Sequence, residues 1–328
     1  MTIDYFRGRS LLITGGTGSF GQRCVRFLLE KTDAKRIIVF SRDELKQSQM
    51  KSAIPDPDER LRFFLGDVRD PVRLQRAMYG VDIVIHAAAL KQVPLLEYNP
   101  FEAVQTNIVG TQNVINAAID QHIEKVLLIS TDKAANPANL YGATKLCAER
   151  LCISSNAFSG EKTKFCAVRY GNVLGSRGSL IQIIAEQRTR GEITLTHEEM
   201  TRFWITLDQG VALVLNSLER MHGGEIFIPK IPSMKVRDLI TTIAPECTIK
   251  VAGIRPGEKM HEVLVTQEEA RHTREFDDYY VILPEFAAEA LMVKYARSPS
   301  IQGESAYTSD TNVTFLDELA LKTILGLK

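Results

Sequence analysis

The stretch Leu11-Leu12-Ile13-Thr14-Gly15-Gly16-Thr17-Gly18-Ser19-Phe20-Gly21 decides the fold. A short apolar run leads into glycines, and a helical pattern over 20–31 follows. The glycines satisfy G-x-G-x-x-G at Gly16, Gly18 and Gly21, and G-x-x-G-x-x-G at Gly15, Gly18 and Gly21. Such a turn lets backbone approach a pyrophosphate closely, and the helix start behind it supplies free N–H groups and the positive end of its dipole. A glycine pattern alone is weak; a strand before it and a helix after it make it specific. Gly15, Thr17, Gly18, Ser19, Phe20 and Gly21 are therefore candidate cofactor contacts.

Further apolar runs at 36–40, 61–65, 82–86, 125–130 and 164–169 alternate with helical patterns, clearest at 101–121 and 141–158. Strands separated by helices mean βαβ units and a doubly wound parallel sheet of Rossmann type, covered on both faces. After about Gly175 the rhythm loosens. Short strands at 191–194, 225–228 and 249–252 mix with helices at 180–190, 207–221 and 236–244. This predicts a nucleotide-binding domain over 1–174 and a smaller, interleaved α/β substrate region over 175–328, with some later segments returning to the sheet. The polar stretch after Arg297 reads as a loop before a last helix at 316–325.

Composition bounds the rest. The 328 residues suggest about two domains. The chain is 45% apolar and 24% charged with zero net charge, which excludes disorder and a general polyanion binder. No apolar run is long enough to cross a bilayer, and 1–10 lack a signal-peptide core, so a cytoplasmic location is expected. Five cysteines without a C-x-x-C pair read as buried thiols, and the scattered histidines give no reason to expect a metal.

The second strand ends in Ser41-Arg42-Asp43, where an acidic side chain would favour NAD by gripping ribose hydroxyls. Ser41 and Arg42 suit a 2′-phosphate, hence NADP, with Asp43 as a possible helix cap. Asp67, beside Val68, is placed to meet the adenine amine. Tyr141-Gly142-Ala143-Thr144-Lys145 sets a phenol and an ammonium four apart on one helix face. A nearby ammonium lowers a phenol's pKa, so Tyr141 is a candidate base. Thr131, Asp132 and Lys133 follow the fifth strand, whose carboxyl end faces the ligand crevice.

TGGTGSFG, HAAALKQVP, STDKAANPANLYGATK and RYGNVLGSRGS together resemble the extended short-chain dehydrogenase/reductase superfamily, and within it the C5-inverting UDP-N-acetylglucosamine 4,6-dehydratases. MTRFWITLDQG, GIRPGEKMHEVL and YTSDTN extend the likeness through most of the chain. The resemblance implies oxidation of a sugar at C4, loss of water across C5–C6 and return of the hydride to C6, with NADP recycled. It implies that Tyr141, helped by Lys145 and Thr131, takes the C4 hydroxyl proton, that Lys145 also meets the nicotinamide ribose, and that Ala87 and Ala88 line the cofactor site. Asp132 and Lys133 would serve C5 deprotonation and loss of the C6 hydroxyl. Retaining relatives carry Asp-Glu there; we expect Lys133 as base and Asp132 as acid, with the reverse open. Arg202 and Arg255 would meet the UDP phosphates, Glu258 the uridine ribose, Asn172 a phosphate or the sugar, and Lys91 the sugar. A homo-oligomer supplying pseudaminic acid for flagellin or another surface glycan is also implied. A UDP-sugar epimerase, which needs no Asp132-Lys133, another UDP-N-acetylhexosamine dehydratase on the same scaffold, and a non-catalytic NADP-binding protein are the alternatives.

Overall fold

Leu11, Leu12 and Ile13 are wholly buried because their strand is covered on both faces. Burying each such side chain contributes about 1.5–3 kcal/mol, so consecutive apolar residues are stable only at the centre of such a sheet. The computed structural model describes residues 3–160, 162–285, 289–301, 303 and 305–326. Its main sheet contains β1 (Ser10–Thr14), β2 (Arg36–Ser41), β3 (Leu61–Leu65), β4 (Ile83–His86), β5 (Lys125–Ile129), β6 (Lys164–Val168), β7 (Ile226–Pro229), β8 (Thr273–Glu275) and β9 (Tyr279–Ile282). Their order is β8-β9-β7-β6-β5-β4-β1-β2-β3. From β3 to β7 every pairing is parallel; β9 runs antiparallel to β7, and β8 to β9. The expected α/β class is observed, with the six first-half strands at their expected places to within about one residue. The direction of winding switches between β1 and β4, which opens a crevice at their carboxyl ends.

The first helix, Ser19–Lys31, buries Gly21, Cys24, Val25 and Leu28 and has no side-chain cap at its start. A Cβ on Gly21 would stand 2.4 Å from the Gly16 Cα, so helix and turn meet at a distance only glycine permits. The single helix expected over 101–121 is instead broken into pieces. Short helices Val93–Tyr98 and Pro100–Ala103 each carry a proline in the first turn; the chain then widens to a π-turn at Val104–Val109 before the helix Gly110–Asp120. The widened turn holds Asn107, whose amide bonds Leu90 N–H (2.8 Å), Leu90 C=O (2.9 Å) and the Thr144 hydroxyl (3.0 Å). It thereby ties the loop after β4 to the Tyr141 helix.

A second apolar cluster includes Leu174, Ile184, Ile193, Met200, Trp204, Met234 and Leu239. It forms around a three-stranded sheet of Asn172–Val173, Thr201–Ile205 and Ser233–Lys235, and a parallel pair, Glu192–Leu195 with Thr248–Val251. The expected strands 191–194 and 249–252 lie in that pair, shifted by one residue. Strand 225–228 belongs to the main sheet as β7. All five cysteines are free, and no helix among the described residues is long and apolar enough to cross a membrane.

The tail differs from the expected loop. Tyr307–Thr308 pairs with Val263–Val265, and the Tyr307 hydroxyl donates to Ile231 C=O at 2.9 Å. The Asn312 amide, nearly buried, shares its hydrogens among Ile231 C=O (2.8 Å), the Ser233 hydroxyl (2.9 Å) and Thr314 C=O (3.0 Å). Polar side chains here replace the apolar signal by which a strand is usually recognised. The last helix starts at Glu318, capped by Asp317, because Leu316 still donates its N–H to Ser233 C=O. Asn312→Ala leaves these buried acceptors short of donors and should destabilise the protein by about 1–3 kcal/mol, measured by urea unfolding.

Candidate active site

A cleft of about 520 Å3 lies along the carboxyl ends of the central strands. At one end are Gly15, Gly18, Ser19, Phe20 and Gly21, at the uncapped start of the first helix. Thr17 lies beneath the turn rather than in the cleft, its hydroxyl 2.9 Å from that of Ser41. Ser41, Arg42, Asp67, Val68, Ala87 and Ala88 line the same end. Arg42 pairs with Asp67 at 3.5 Å, and Arg69 grips the same carboxylate at 2.8 Å. Partial burial pushes the Asp67 carboxyl up, but Arg69 and Arg42 outweigh it and hold it below its ordinary range. The Asp43 carboxylate accepts from Lys46 N–H at 2.9 Å and caps the helix Glu44–Ala53.

At the other end β5 runs into Ser130, Thr131 and a 3-10 turn, Asp132–Ala134. The Thr131 hydroxyl and the Lys133 ammonium both donate to Asp132 Oδ1, at 2.9 and 3.1 Å. Asp132 has no exposed surface, and its Oδ2 has no hydrogen-bond partner among the described residues. Burial drives its carboxyl up, against the pull of Lys133. Lys133 Nζ also pairs with Glu262 Oε1 at 3.2 Å. Burial disfavours the ammonium, but Asp132 and Glu262 outweigh burial and hold the proton on it. Glu262, itself buried, lies 3.6 Å from Arg202 and 4.0 Å from Lys259. Burial pushes its carboxyl up, and Lys133, Arg202 and Lys259 together bring it below its ordinary range.

The helix Leu140–Ser154, capped by Asn139, abuts this turn; a Cβ on Gly142 would stand 2.2 Å from Lys133 C=O. Tyr141 and Lys145 line the cleft. Burial pushes the Tyr141 phenol up to about 12, and the groups that ease it are Lys133 and a hydrogen bond with Thr131. The spacing suggested Lys145 as that cation. Lys145 instead donates to Ile129 C=O at 2.8 Å, and burial pushes it down to about 8, opposed by Glu149.

Lys91 and Asn172 line the cleft as well. Three candidate substrate residues do not. Arg202 is nearly buried; its guanidinium donates to the carbonyls of Thr201 (2.7 Å), Met260 (3.1 Å) and Lys259 (3.0 Å), and it faces Glu258 and Glu262 at 3.6 Å. It stands behind Lys133 because a guanidinium with five donors finds enough acceptors there. Glu258 turns Oε1 to Arg202 and Thr196, its Oε2 is buried with no partner among the described residues, and Arg255 is exposed on the adjoining turn. Two site residues escaped the sequence reading. Glu262 sits just before the apolar strand Val263–Val265, where a buried acid demands a cation. Arg177 lies in the RYGNVLGSRGS stretch and straps the cleft. Its N–H donates to the Ser19 hydroxyl (3.1 Å) and its guanidinium to Thr17 C=O (3.2 Å), while its carbonyl accepts from Lys91 (3.0 Å).

The arrangement combines a dinucleotide cradle with a half-buried phenol hydrogen-bonded to Thr131, and with a buried carboxyl that Thr131 and the Lys133 ammonium both contact, the parts needed to oxidise a carbinol and then move protons beside it. Residues 11–284 match the family described as polysaccharide biosynthesis protein. The chain is 47% identical to UDP-N-acetylglucosamine 4,6-dehydratase (inverting) of Campylobacter jejuni subsp. jejuni serotype O:2, over 98% of both chains. It is 42% identical to the UDP-glucose 4-epimerase of Rickettsia conorii, over 84% of this chain and 83% of that one. Among solved structures, Pen from Bacillus thuringiensis is 38% identical, covers 98% of both chains and superposes with a TM-score of 0.89. With a family match across most of its length and near-complete alignment to such relatives, the chain belongs to the polysaccharide biosynthesis protein family of the extended short-chain dehydrogenase/reductase superfamily.

Proposed function

We propose that the protein is an NADP-dependent hydro-lyase that dehydrates UDP-N-acetylglucosamine across C5–C6 and inverts C5. The carrying observation is the contact of Asp132 with Lys133 at 3.1 Å beside Tyr141, in one buried cluster. An epimerase needs the phenol but not this pair. The resemblance to the inverting dehydratase of Campylobacter supports the same reading. The likeness to the Rickettsia epimerase makes epimerisation the second reading.

Ser41 and Arg42 with the glycine turn would hold NADP, which when bound would supply a hydride acceptor for C4 and the hydride for C6. The lining fits a dinucleotide: Gly15, Gly18 and Gly21 leave the turn without side chains, and the buried hydroxyls of Thr106 and Ser130, both in the cleft lining, have no partner among the described residues. Commitment of Asp43 to its helix leaves Ser41 and Arg42 to meet a 2′-phosphate, which favours NADP over NAD. Tyr141, once it has given its own proton to solvent, takes the C4 hydroxyl proton, with Thr131 hydrogen-bonded to it. Oxidation at C4 acidifies the C5–H bond. Lys133 rests as an ammonium, so it acts as base after passing its proton to Asp132 along their hydrogen bond. Neutral Lys133 then takes the C5 proton, and protonated Asp132 gives its own to the C6 hydroxyl, which leaves as water. Both groups return to their resting charges; as the hydride reaches C6, C5 takes a proton from solvent on the opposite face, which inverts it, and Tyr141 releases the C4 proton to solvent.

The division at 174/175 follows the same logic: cofactor on the main-sheet side, sugar nucleotide on the side of the second apolar cluster. The reading carries with it a cytoplasmic homo-oligomer that opens pseudaminic acid biosynthesis for a glycan such as that of flagellin. Its support is the resemblance.

Incubation with UDP-N-acetylglucosamine in deuterated water should give, by proton NMR, a 4-keto product with deuterium at C5, an L-arabino ring and no C6 hydroxymethyl signals. Retention of those signals with a changed C4 would establish epimerisation instead. Lys133→Arg, which keeps the charge, should lower turnover by about 10²–10⁴-fold and stop deuterium entry at C5. Glu262→Gln should move the alkaline limb of the kcat profile to lower pH, because the ammonium loses one of its two carboxylates. Lys145→Met should lower activity yet raise the melting temperature at neutral pH. Folding costs the wild type the burial of an ammonium whose pKa falls from 10.5 to about 8. The unfolded chain holds more protons between those values, so wild-type stability rises with pH there and the variant's advantage fades.

A further inference from the structure

Two polar atoms beside the proposed catalytic cluster are buried and have no hydrogen-bond partner among the described residues. Trp204, the chain's single tryptophan, is 1% exposed, and its indole N–H has no acceptor. The Asn172 Oδ1 is buried and has no donor. The two residues are partners in the parallel ladder of Asn172–Val173 with Thr201–Ile205, and both line the cleft. Asn172 is two residues beyond Tyr170, whose carbonyl accepts from Asp132 N–H at 3.1 Å.

An indole N–H only donates, and a carboxamide oxygen only accepts. Each left dry costs about 1–3 kcal/mol, so the pair is made for a ligand that accepts from one and donates to the other. Neighbouring strands stand about 4.8 Å apart and send paired side chains out side by side. That separation suits a donor and an acceptor on different ligand atoms, as in a secondary amide, better than a hydroxyl that must do both on one oxygen. Val173, Leu180 and Leu207 line the same cleft and offer apolar surface to a methyl group.

We propose that Trp204 and Asn172 form the subsite that recognises the acetamido group of the sugar, the indole donating to its carbonyl and Asn172 accepting from its N–H. The inference rests on the function proposed above and adds what distinguishes N-acetylhexosamine nucleotides from hexose nucleotides. A site that hydrogen-bonds a substrate group discriminates strongly against an analogue lacking it, because its own buried groups are then unpaired.

The single tryptophan is its own reporter. The NADP-loaded protein is titrated with UDP, UDP-glucose and UDP-N-acetylglucosamine while indole emission is followed. A saturable red shift with UDP-N-acetylglucosamine alone is expected, since donation from an excited indole N–H lowers its emission energy. Trp204→Phe should lose about tenfold or more in kcat/KM for UDP-N-acetylglucosamine, mainly through KM, with its affinity for UDP-glucose kept. A full shift on adding NADP alone would assign the donor to the nicotinamide carboxamide and overturn the proposal. So would equal shifts with UDP-glucose and UDP-N-acetylglucosamine, or a Phe variant of unchanged kcat/KM. The wild-type titration needs no variant, so a Phe variant that fails to fold leaves the test intact. Failure of the dehydratase reading shows separately, as absence of a 4-keto product from the wild type.

Discussion

Lys133 is held between two carboxylates, Asp132 at 3.1 Å and Glu262 at 3.2 Å, and the working half of the molecule is arranged around that pairing. No member of the group is stable there alone: removing one partner from a buried ion pair costs about 3–5 kcal/mol, because the other charge is stranded. The partners come from distant parts of the chain. Asp132 and Lys133 follow β5, Arg202 lies on Thr201–Ile205, and Glu262 precedes the strand that pairs with the tail. The cluster therefore couples the main sheet, the second apolar cluster and residues 307–308. It also sets the resting charge of the group proposed to deprotonate C5.

This pairing explains why the cation beside Tyr141 is Lys133 and not Lys145. The Tyr141 helix approaches the Asp132–Ala134 turn so closely that only glycine fits at 142, which brings the phenol to Thr131 and within the field of Lys133. Lys145, one turn further along, reaches back to the β5 carbonyl and surrenders much of its affinity for a proton to burial.

Zero net charge conceals this local organisation. Arg42, Lys91 and Arg177 line the cleft, whereas Arg202 is turned inward and answered by acids. A neutral protein can offer a cationic recess to a small dianion by sorting its charges, and composition does not record the sorting.

The sequence by itself determined the parallel sheet, the glycine turn and the residues of the proposed catalytic set. These depend on short-range rules: apolar runs bounded by glycine, a turn only glycine can make, and side chains four apart on a helix. Thr131, Asp132, Lys133, Tyr141 and Lys145 were legible for that reason. Tertiary structure alone decided the rest. Glu262, Arg177 and Trp204 act through contacts across long stretches of chain, and nothing local marks them. Arg202 was read as a phosphate ligand because a sequence shows that an arginine carries charge, but not whether the charge is already balanced. The tail was read as a loop because Asn312 and Tyr307 dock by hydrogen bonds, which leave no hydrophobic period. Where burial is apolar and local, the residues announce it; where it is polar and long-range, only the fold brings the partners together.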